Sequence, residues 1–279
     1  MIAPLVPNSI RCFDEKMAST RGSDGVSISY EVHGSGPPDL FLVHGWAGSG
    51  AYFAETIDCL DTARLRAVTV DLRGHGLSDQ AEGYGLDDIA ADVLAVADAL
   101  GTEKLVLLGF SMSAKFAQYV AVTAPDRVVG LILVAGCPVT EIPFPPELRA
   151  DWLSRVGNGP ALGAVTQQYA SSPLPTQVMD RIGDAAAVVP LAGLEGTLDA
   201  CLTTSFADRL NVVRAPTVVV GGTEDAIFTP DVLRAGVVQP LPQARLALLK
   251  CGHEIPVEMP YELAAVTEGF LAGLAGSAP

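Results

Sequence analysis

Basic residues are scarce in this chain. Seventeen lysines and arginines stand against 32 aspartates and glutamates, a formal charge of −15. No Lys/Arg cluster offsets that balance locally, so nucleic acid and anionic membrane surfaces are not expected as partners. The acidic groups read as a solubilising surface. Cys-x-x-Cys pairs are missing too. The five cysteines, Cys12, Cys59, Cys137, Cys201 and Cys251, are scattered, which argues against a disulfide framework and a thiolate zinc site. A reducing cytoplasm is the expected compartment. No apolar run approaches the roughly 18 residues that span a bilayer, and Pro4 and Pro7 interrupt any N-terminal signal pattern. Residues 1–22 read as an irregular N-terminal extension.

What is present suits one large domain with an insertion. The 279 residues are 49% apolar and 18% charged, enough to bury a sizeable core. Short aliphatic runs at Leu40–Val43, Ala67–Val70, Leu105–Leu108, Gly130–Ala135 and Thr217–Val220 read as buried strands, and Arg245–Leu249 as the last strand. Val26–His33 alternates and reads as an earlier, antiparallel one. Helical patterns separate the runs. Asp87–Leu100 aligns Ile89, Val93, Val96 and Leu100 on one stripe, and small residues recur at Ala114, Ala117, Ala121 and Ala124. Thr229-Pro230 reads as a capped helix start, and Glu262–Leu274 as the terminal helix. This alternation predicts an α/β fold with a mostly parallel sheet covered by helices on both faces.

From about residue 137 to 210 the pattern changes. Proline is frequent and no strand is evident. Leu148, Trp152, Leu153 and Val156 follow helical spacing instead. A segment of that length is too long for a plain loop. The expected organisation is a core over 23–136 and 211–279, with a helical cap over 137–210.

The chemistry-bearing residues lie where strands end. Leu105-Val-Leu-Leu-Gly-Phe-Ser111 runs from a buried strand into a serine-centred turn and then a helix. Such an elbow forces the serine hydroxyl out at the carboxyl edge of the sheet. Gly109 meets the turn's demand for small neighbours, while Ser113 stands where glycine is usual. The helix start points the Met112 N–H at the same place, as an oxyanion donor. A second donor is expected from another loop, and Gly45 lets the Trp46 N–H take that role. Among four histidines, His33 falls in the first strand. His44 reads as buried and structural, and His75 as fixing the glycine-rich turn Asp71–Asp79. His253, on a loop beyond the final strand, is the candidate base for Ser111. Asp225 follows the strand Thr217–Val220 and is preferred to its neighbour Glu224 as the acid orienting His253, in the order serine, acid, histidine.

Together His44-Gly45-Trp46, Asp71–Asp79, Gly109–Ser113, Asp225 and His253 resemble the α/β-hydrolase superfamily over nearly the whole chain. Gly109-Phe-Ser-Met112 is similar to its cofactor-free haloperoxidase/perhydrolase and esterase-like group. The resemblance implies a serine hydrolase of esters or lactones, because relatives that act on haloalkanes or epoxides carry aspartate at the elbow. Carbon–carbon bond hydrolysis, perhydrolase activity and a hydrolase-fold receptor for a small ligand use the same three residues and stay as alternatives. No metal or organic cofactor is expected. The partner is a small-molecule substrate, with Trp46, Trp152, Met179, Phe228 and Ile255 as candidate pocket residues. The oligomeric state, monomer or homodimer, is left open.

Overall fold

A computed structural model of the chain describes residues 17–22 and 24–276. Eight strands form one sheet: β1 (Met17–Arg21), β2 (Ser27–His33), β3 (Asp39–Val43), β4 (Arg66–Val70), β5 (Leu105–Phe110), β6 (Val128–Val134), β7 (Thr217–Gly222) and β8 (Ala244–Leu249). Their spatial order is β1-β2-β4-β3-β5-β6-β7-β8. The pairs β1–β2 and β2–β4 are antiparallel, and every later pair is parallel.

The helices are α1 (Ala54–Cys59), α2 (Leu86–Ala99), α3 (Met112–Thr123), α4 (Pro146–Leu153), α5 (Gly159–Tyr169), α6 (Thr176–Ala187), α7 (Leu191–Leu202), α8 (Pro230–Leu233), α9 (Ile255–Glu258) and α10 (Pro260–Ala275). No single helix among the described residues is long and apolar enough to cross a membrane.

The period of two along each strand divides the apolar residues between two layers. Phe41, Val43, Val68, Val70, Leu107, Leu131, Leu133 and Val219 face α2 and α3, in one cluster with Ile89, Val93 and Val96. Leu40, Leu42, Ala67, Val106, Leu108, Ile132, Val134, Val218 and Val220 face the other way, packing with Ile57 of α1 and Leu263, Phe270 and Leu271 of α10. A strand buried on both faces has no polar alternation, which is why these segments read as short aliphatic runs.

One buried charge cluster ties the first cluster to the sheet's antiparallel edge. Arg73 is fully buried and donates to Asp92 of α2 at 2.7 and 2.9 Å and to Asp24 at 2.9 Å. Asp92 explains the one charged position on the buried face of α2. A guanidinium taken out of water needs such carboxylates beside it.

Two expectations about organisation change. Residues 1–16 of the expected irregular extension lie outside the described residues, but Met17–Arg21 is an edge strand paired from Met17↔Glu31 to Arg21↔Ser27. Its side chains are almost all exposed, so main-chain pairing rather than apolar burial makes it a strand, and hydrophobic patterning does not reveal it. Between β6 and β7 the chain carries α4–α7, four helices where the pattern of Leu148, Trp152, Leu153 and Val156 signals one. That helix, α4, ends at Leu153 and buries no residue fully, whereas α5, α6 and α7 each do.

Strand order places the site. From β3 the chain moves outward to β4, then returns to the other side of β3 for β5 and continues away. The crevice at the carboxyl ends of β3 and β5 lies at that reversal, where open α/β sheets leave room for a ligand.

Candidate active site

Ser111 sits between β5 and α3 with φ +53 and ψ −115. A β-substituted residue in the left-handed region is strained, and the surrounding contacts must hold it there. They do so from both sides. The Ser111 N–H donates to the Val134 carbonyl at 2.8 Å, and the Ser111 carbonyl accepts from Ala114 and Cys137. A side chain at Gly109 would strike the Ser113 carbonyl, so glycine is required there. Ser111 makes no capping hydrogen bond to α3 through its own side chain. Its hydroxyl is free for another partner.

That partner is His253. Its Nε2 lies 2.9 Å from Ser111 Oγ, and its Nδ1 lies 2.9 Å from Asp225 Oδ2. Asp225 and His253 are buried. The His253 loop is anchored from the helical insertion, because its N–H donates to the Tyr169 carbonyl at 2.9 Å. Asp225 is anchored by its own turn: Oδ1 accepts the N–H groups of Ile227 and Phe228 at 2.7 and 2.9 Å. Glu224, the neighbouring acid, points to solvent.

The electrostatics follow from these contacts. Burial alone would lower the His253 pKa. The hydrogen bond and charge of Asp225, aided by Glu254 and Glu258, outweigh it, and His253 ends above its ordinary 6.5. For Asp225, burial pushes the pKa up. The His253 hydrogen bond and charge and the two main-chain donors prevail and hold it below the usual carboxylate range. A carboxylate therefore fixes one imidazole nitrogen while the other meets an alcohol, the arrangement that converts a hydroxyl into a nucleophile.

The loop after β3 closes over the same point. Gly45 leaves just enough room: a Cβ there would sit 3.0 Å from the Phe110 ring and 3.4 Å from Ser111 Cβ. Ser113, in place of the usual elbow glycine, is fully buried and its hydroxyl donates to the His44 carbonyl. The substitution thus ties the serine elbow to the loop that carries Trp46, a link no local pattern discloses. Among the described residues, the main-chain N–H groups of Trp46 and Met112 have no acceptor, and both residues line the cavity above Ser111.

His44 and His75 lie apart from this chemistry, with rings 5.3 Å from each other. His44 Nδ1 donates to the Gly45 carbonyl at 2.8 Å while Nε2 accepts the Leu72 N–H at 3.0 Å. His75 Nδ1 donates to the Arg73 carbonyl at 3.0 Å. Burial lowers the pKa of His44 to about 4 and that of His75, with His44 adding, to about 3. Unfolded imidazoles take up a proton below about 6.5, so both rings favour folding above that pH, and this contribution is lost as the pH falls through their folded values. In a nitrogen-15 spectrum at pH 5.5 both rings should be neutral, with His253 protonated. Either ring titrating between pH 6 and 7 would contradict this packing.

The cavity at the strand ends measures about 240 Å³. Ser111 and His253 form its floor. Trp46, Phe144, Trp152, Leu162, Tyr169 and Phe228 form much of its wall. Trp46 stacks on Trp152 with ring centres 4.8 Å apart, and its Nε1 donates to the Leu194 carbonyl of α7 at 3.0 Å. Core loop and insertion therefore meet above the site. Trp46, Trp152 and Phe228 stand where the sequence places them. Met179 and Ile255 do not line the cavity. Ile255 is fully buried under the His253 loop, and Met179 packs into the same apolar cluster on the α1/α10 side. Helical spacing marks a buried face without saying what that face meets.

One polar feature of the wall leaves no clear mark in the sequence. Tyr52 and Glu254 both border the cavity, and the Tyr52 hydroxyl donates to Glu254 Oε2. Burial pushes the Glu254 carboxyl up to about 7. The signal available was weak: an acid between His253 and the apolar Ile255-Pro256-Val257.

Comparison with known proteins agrees with this fold. The chain matches the alpha/beta hydrolase fold family over residues 38–260, most of its length. The chain belongs to that family. It is 30% identical over 247 residues to a pimeloyl-acyl-carrier-protein methyl ester esterase from Nitrosomonas europaea, an alignment covering 81% of this chain and 92% of the relative. A protein of the same name from Aliivibrio salmonicida is 39% identical over 112 residues, covering 40% of this chain but only 41% of that relative's length. Among solved structures, an esterase from Rhodococcus sp. ECU1013 superposes with a TM-score of 0.81 at 23% identity, over 93% of this chain and 99% of the other. This last likeness is one of fold.

Proposed function

We propose that this hydrolase cleaves the carboxylic ester or lactone of a small, uncharged, moderately hydrophobic substrate through an acyl-enzyme intermediate. One observation carries the reading: the unbroken contact chain from Ser111 Oγ through His253 to Asp225, each step 2.9 Å, at a largely apolar cavity. The ester-cleaving names of its long-aligning relatives support the same chemistry.

Ser111 Oγ attacks the substrate carbonyl as its proton passes to His253 Nε2. The imidazolium that forms is held by Asp225 at Nδ1. The Trp46 and Met112 N–H groups receive the negative oxygen of the tetrahedral intermediate, and removing one such donor typically costs about 3 kcal/mol. His253 returns the proton to the departing alcohol. It then takes a proton from water, which attacks the acyl-enzyme and frees Ser111.

Size and polarity set the substrate class. An apolar cavity of about 150 Å³ accepts a benzene-sized molecule, so 240 Å³ suits a short acyl or aryl group. The wall offers no lysine or arginine to receive an anion, and Glu254 stands in it. The helical insertion acts as a cap that excludes water and shapes this pocket. For paired esters of equal length, kcat/KM should favour the neutral acyl group over the carboxylate-ended one by about 100-fold or more, since a buried anion goes unpaired. Equal turnover of the pair would overturn the assigned substrate class. Recovery of an acid and an alcohol, rather than carbon–carbon cleavage products, checks the reaction itself.

A further inference from the structure

Three neighbouring side chains, two of them in the cavity wall, have no part in the hydrolysis described above. Cys137 follows β6 and Cys201 belongs to α7, so the pair brings the start of the helical insertion against its last helix. Their Sγ atoms are 3.5 Å apart, both thiols are free, and both border the cavity. Cys137 is also next to the nucleophile, since its N–H donates to the Ser111 carbonyl at 3.2 Å.

Lys115 of α3 supplies the third group. It is fully buried, and its ammonium donates to the carbonyls of Cys201 and Thr204 at 2.6 Å and of Thr140 at 2.9 Å. Carbonyl oxygens solvate a cation without neutralising it. Among the described residues no carboxylate forms an ion pair with Lys115, and Glu141 acts on it only as a more distant charge. A buried ammonium in that position favours whichever neighbour can become an anion. The Cys201 thiol is that neighbour. Its pKa is lowered by the hydrogen bond with Cys137 and, against burial, by the Lys115 charge, while burial pushes Cys137 well up. Of the two sulfurs in contact, Cys201 is therefore the one that loses its proton more readily.

We propose that Cys137 and Cys201 form a peroxide-sensitive dithiol that closes into a disulfide between the segment beside Ser111 and α7. The Cys201 thiolate attacks one oxygen of hydrogen peroxide, the O–O bond breaks, and the departing hydroxide takes up a proton as water. Cys137 sulfur then attacks the sulfenic acid on Cys201. The S–S bond forms as the S–O bond breaks, and the hydroxyl leaves as water with the Cys137 proton. Two thiols and one peroxide give one disulfide and two waters. The sulfurs must approach by about 1.5 Å to reach bonding distance, a movement open to side-chain rotation. Closure fastens α7 to the residue beside Ser111 and fixes that wall of the pocket. Its effect on turnover rests on the hydrolase reading above; the disulfide does not.

The test exposes the reduced full-length protein to hydrogen peroxide, alkylates remaining thiols and maps peptides without reductant. The expected product joins the Cys137 and Cys201 peptides, is lighter by two hydrogens and reverts with dithiothreitol, while Cys59 and Cys251 are alkylated. In Cys137→Ser, dimedone should trap a sulfenic acid on Cys201. Lys115→Met should slow closure by about ten-fold and leave the joined peptides unchanged. Oxidation confined to Cys59 or Cys251, or conversion of Cys137 and Cys201 to sulfinic acids without joining, would overturn the proposal in the wild-type protein. Loss of Ser111 reactivity in the fully reduced protein would instead count against the hydrolase reading, so the two failures are distinguishable.

Discussion

Ser111→Ala is expected to lower kcat/KM for an activated ester by at least about 10⁴-fold while leaving the thermal midpoint nearly unchanged. The two halves of this expectation have separate grounds. The Ser111 hydroxyl is the atom that meets His253 Nε2, and no other side-chain hydroxyl among the described residues contacts that nitrogen. Removing it leaves only the paired N–H donors and substrate binding to help water attack directly. Stability is untouched because Ser111 caps nothing with its side chain, and alanine keeps the Cβ that the elbow already accommodates. KM should change little, since the pocket walls stay in place. Steady-state kinetics with a p-nitrophenyl ester, beside a circular-dichroism melt, read both quantities. A fall of less than ten-fold would place the nucleophile elsewhere.

Asp225→Asn should reduce kcat by about 10³- to 10⁴-fold and move the acid side of the pH profile downward. Activity requires His253 neutral, so it is lost as the pH falls through the His253 pKa. In the wild type that limb lies above pH 6.5, because Asp225 holds a proton on the ring against the opposing effect of burial. Asparagine brings no charge, and its amide cannot both accept from Nδ1–H and keep the carboxylate's contacts with the Ile227 and Phe228 N–H groups. The ring is left buried without its anion, its pKa drops, and the limb follows. The change therefore lowers the plateau yet widens the active range on the acid side. A profile of kcat/KM from pH 5 to 9 for both proteins checks this. An unchanged limb would mean that another group controls the wild-type profile, and Glu254, pushed up to about 7, is the residue then to be substituted.

These side chains were legible because each is positioned by short-range structure. Ser111 stands where an all-aliphatic strand meets a small-faced helix, so strand, turn and helix occupy adjacent residues. Asp225 follows an aliphatic run in the same way. His253 needs only the loop after β8, and chain order then relates the three. The sheet's two-sided burial made strands visible as runs such as Leu40–Val43, with ends off by one or two residues.

What escaped depends on partners distant in sequence. Tyr52 and Glu254 are 202 residues apart, Ser113 and His44 are 69 apart, and Cys137 and Cys201 are 64 apart. None of these pairs leaves a periodic or local mark. Met179 and Ile255 show the complementary error. Both are apolar, as a pocket wall would be, but the α1/α10 side of the core needs the same residue types. Only the position of the helices decides between them. Met17–Arg21 failed for a third reason, being a strand held by main-chain pairing with its side chains in water.

Ser111, and no other residue, is expected to carry the acyl group. Incubating the wild-type protein with a fluorophosphonate should add one phosphonyl group per chain, and peptide mass spectrometry should locate it at Ser111. Labelling should be faster above the His253 pKa than below it, and absent in Ser111→Ala. Label found on a different residue, or undiminished in Ser111→Ala, would contradict that assignment.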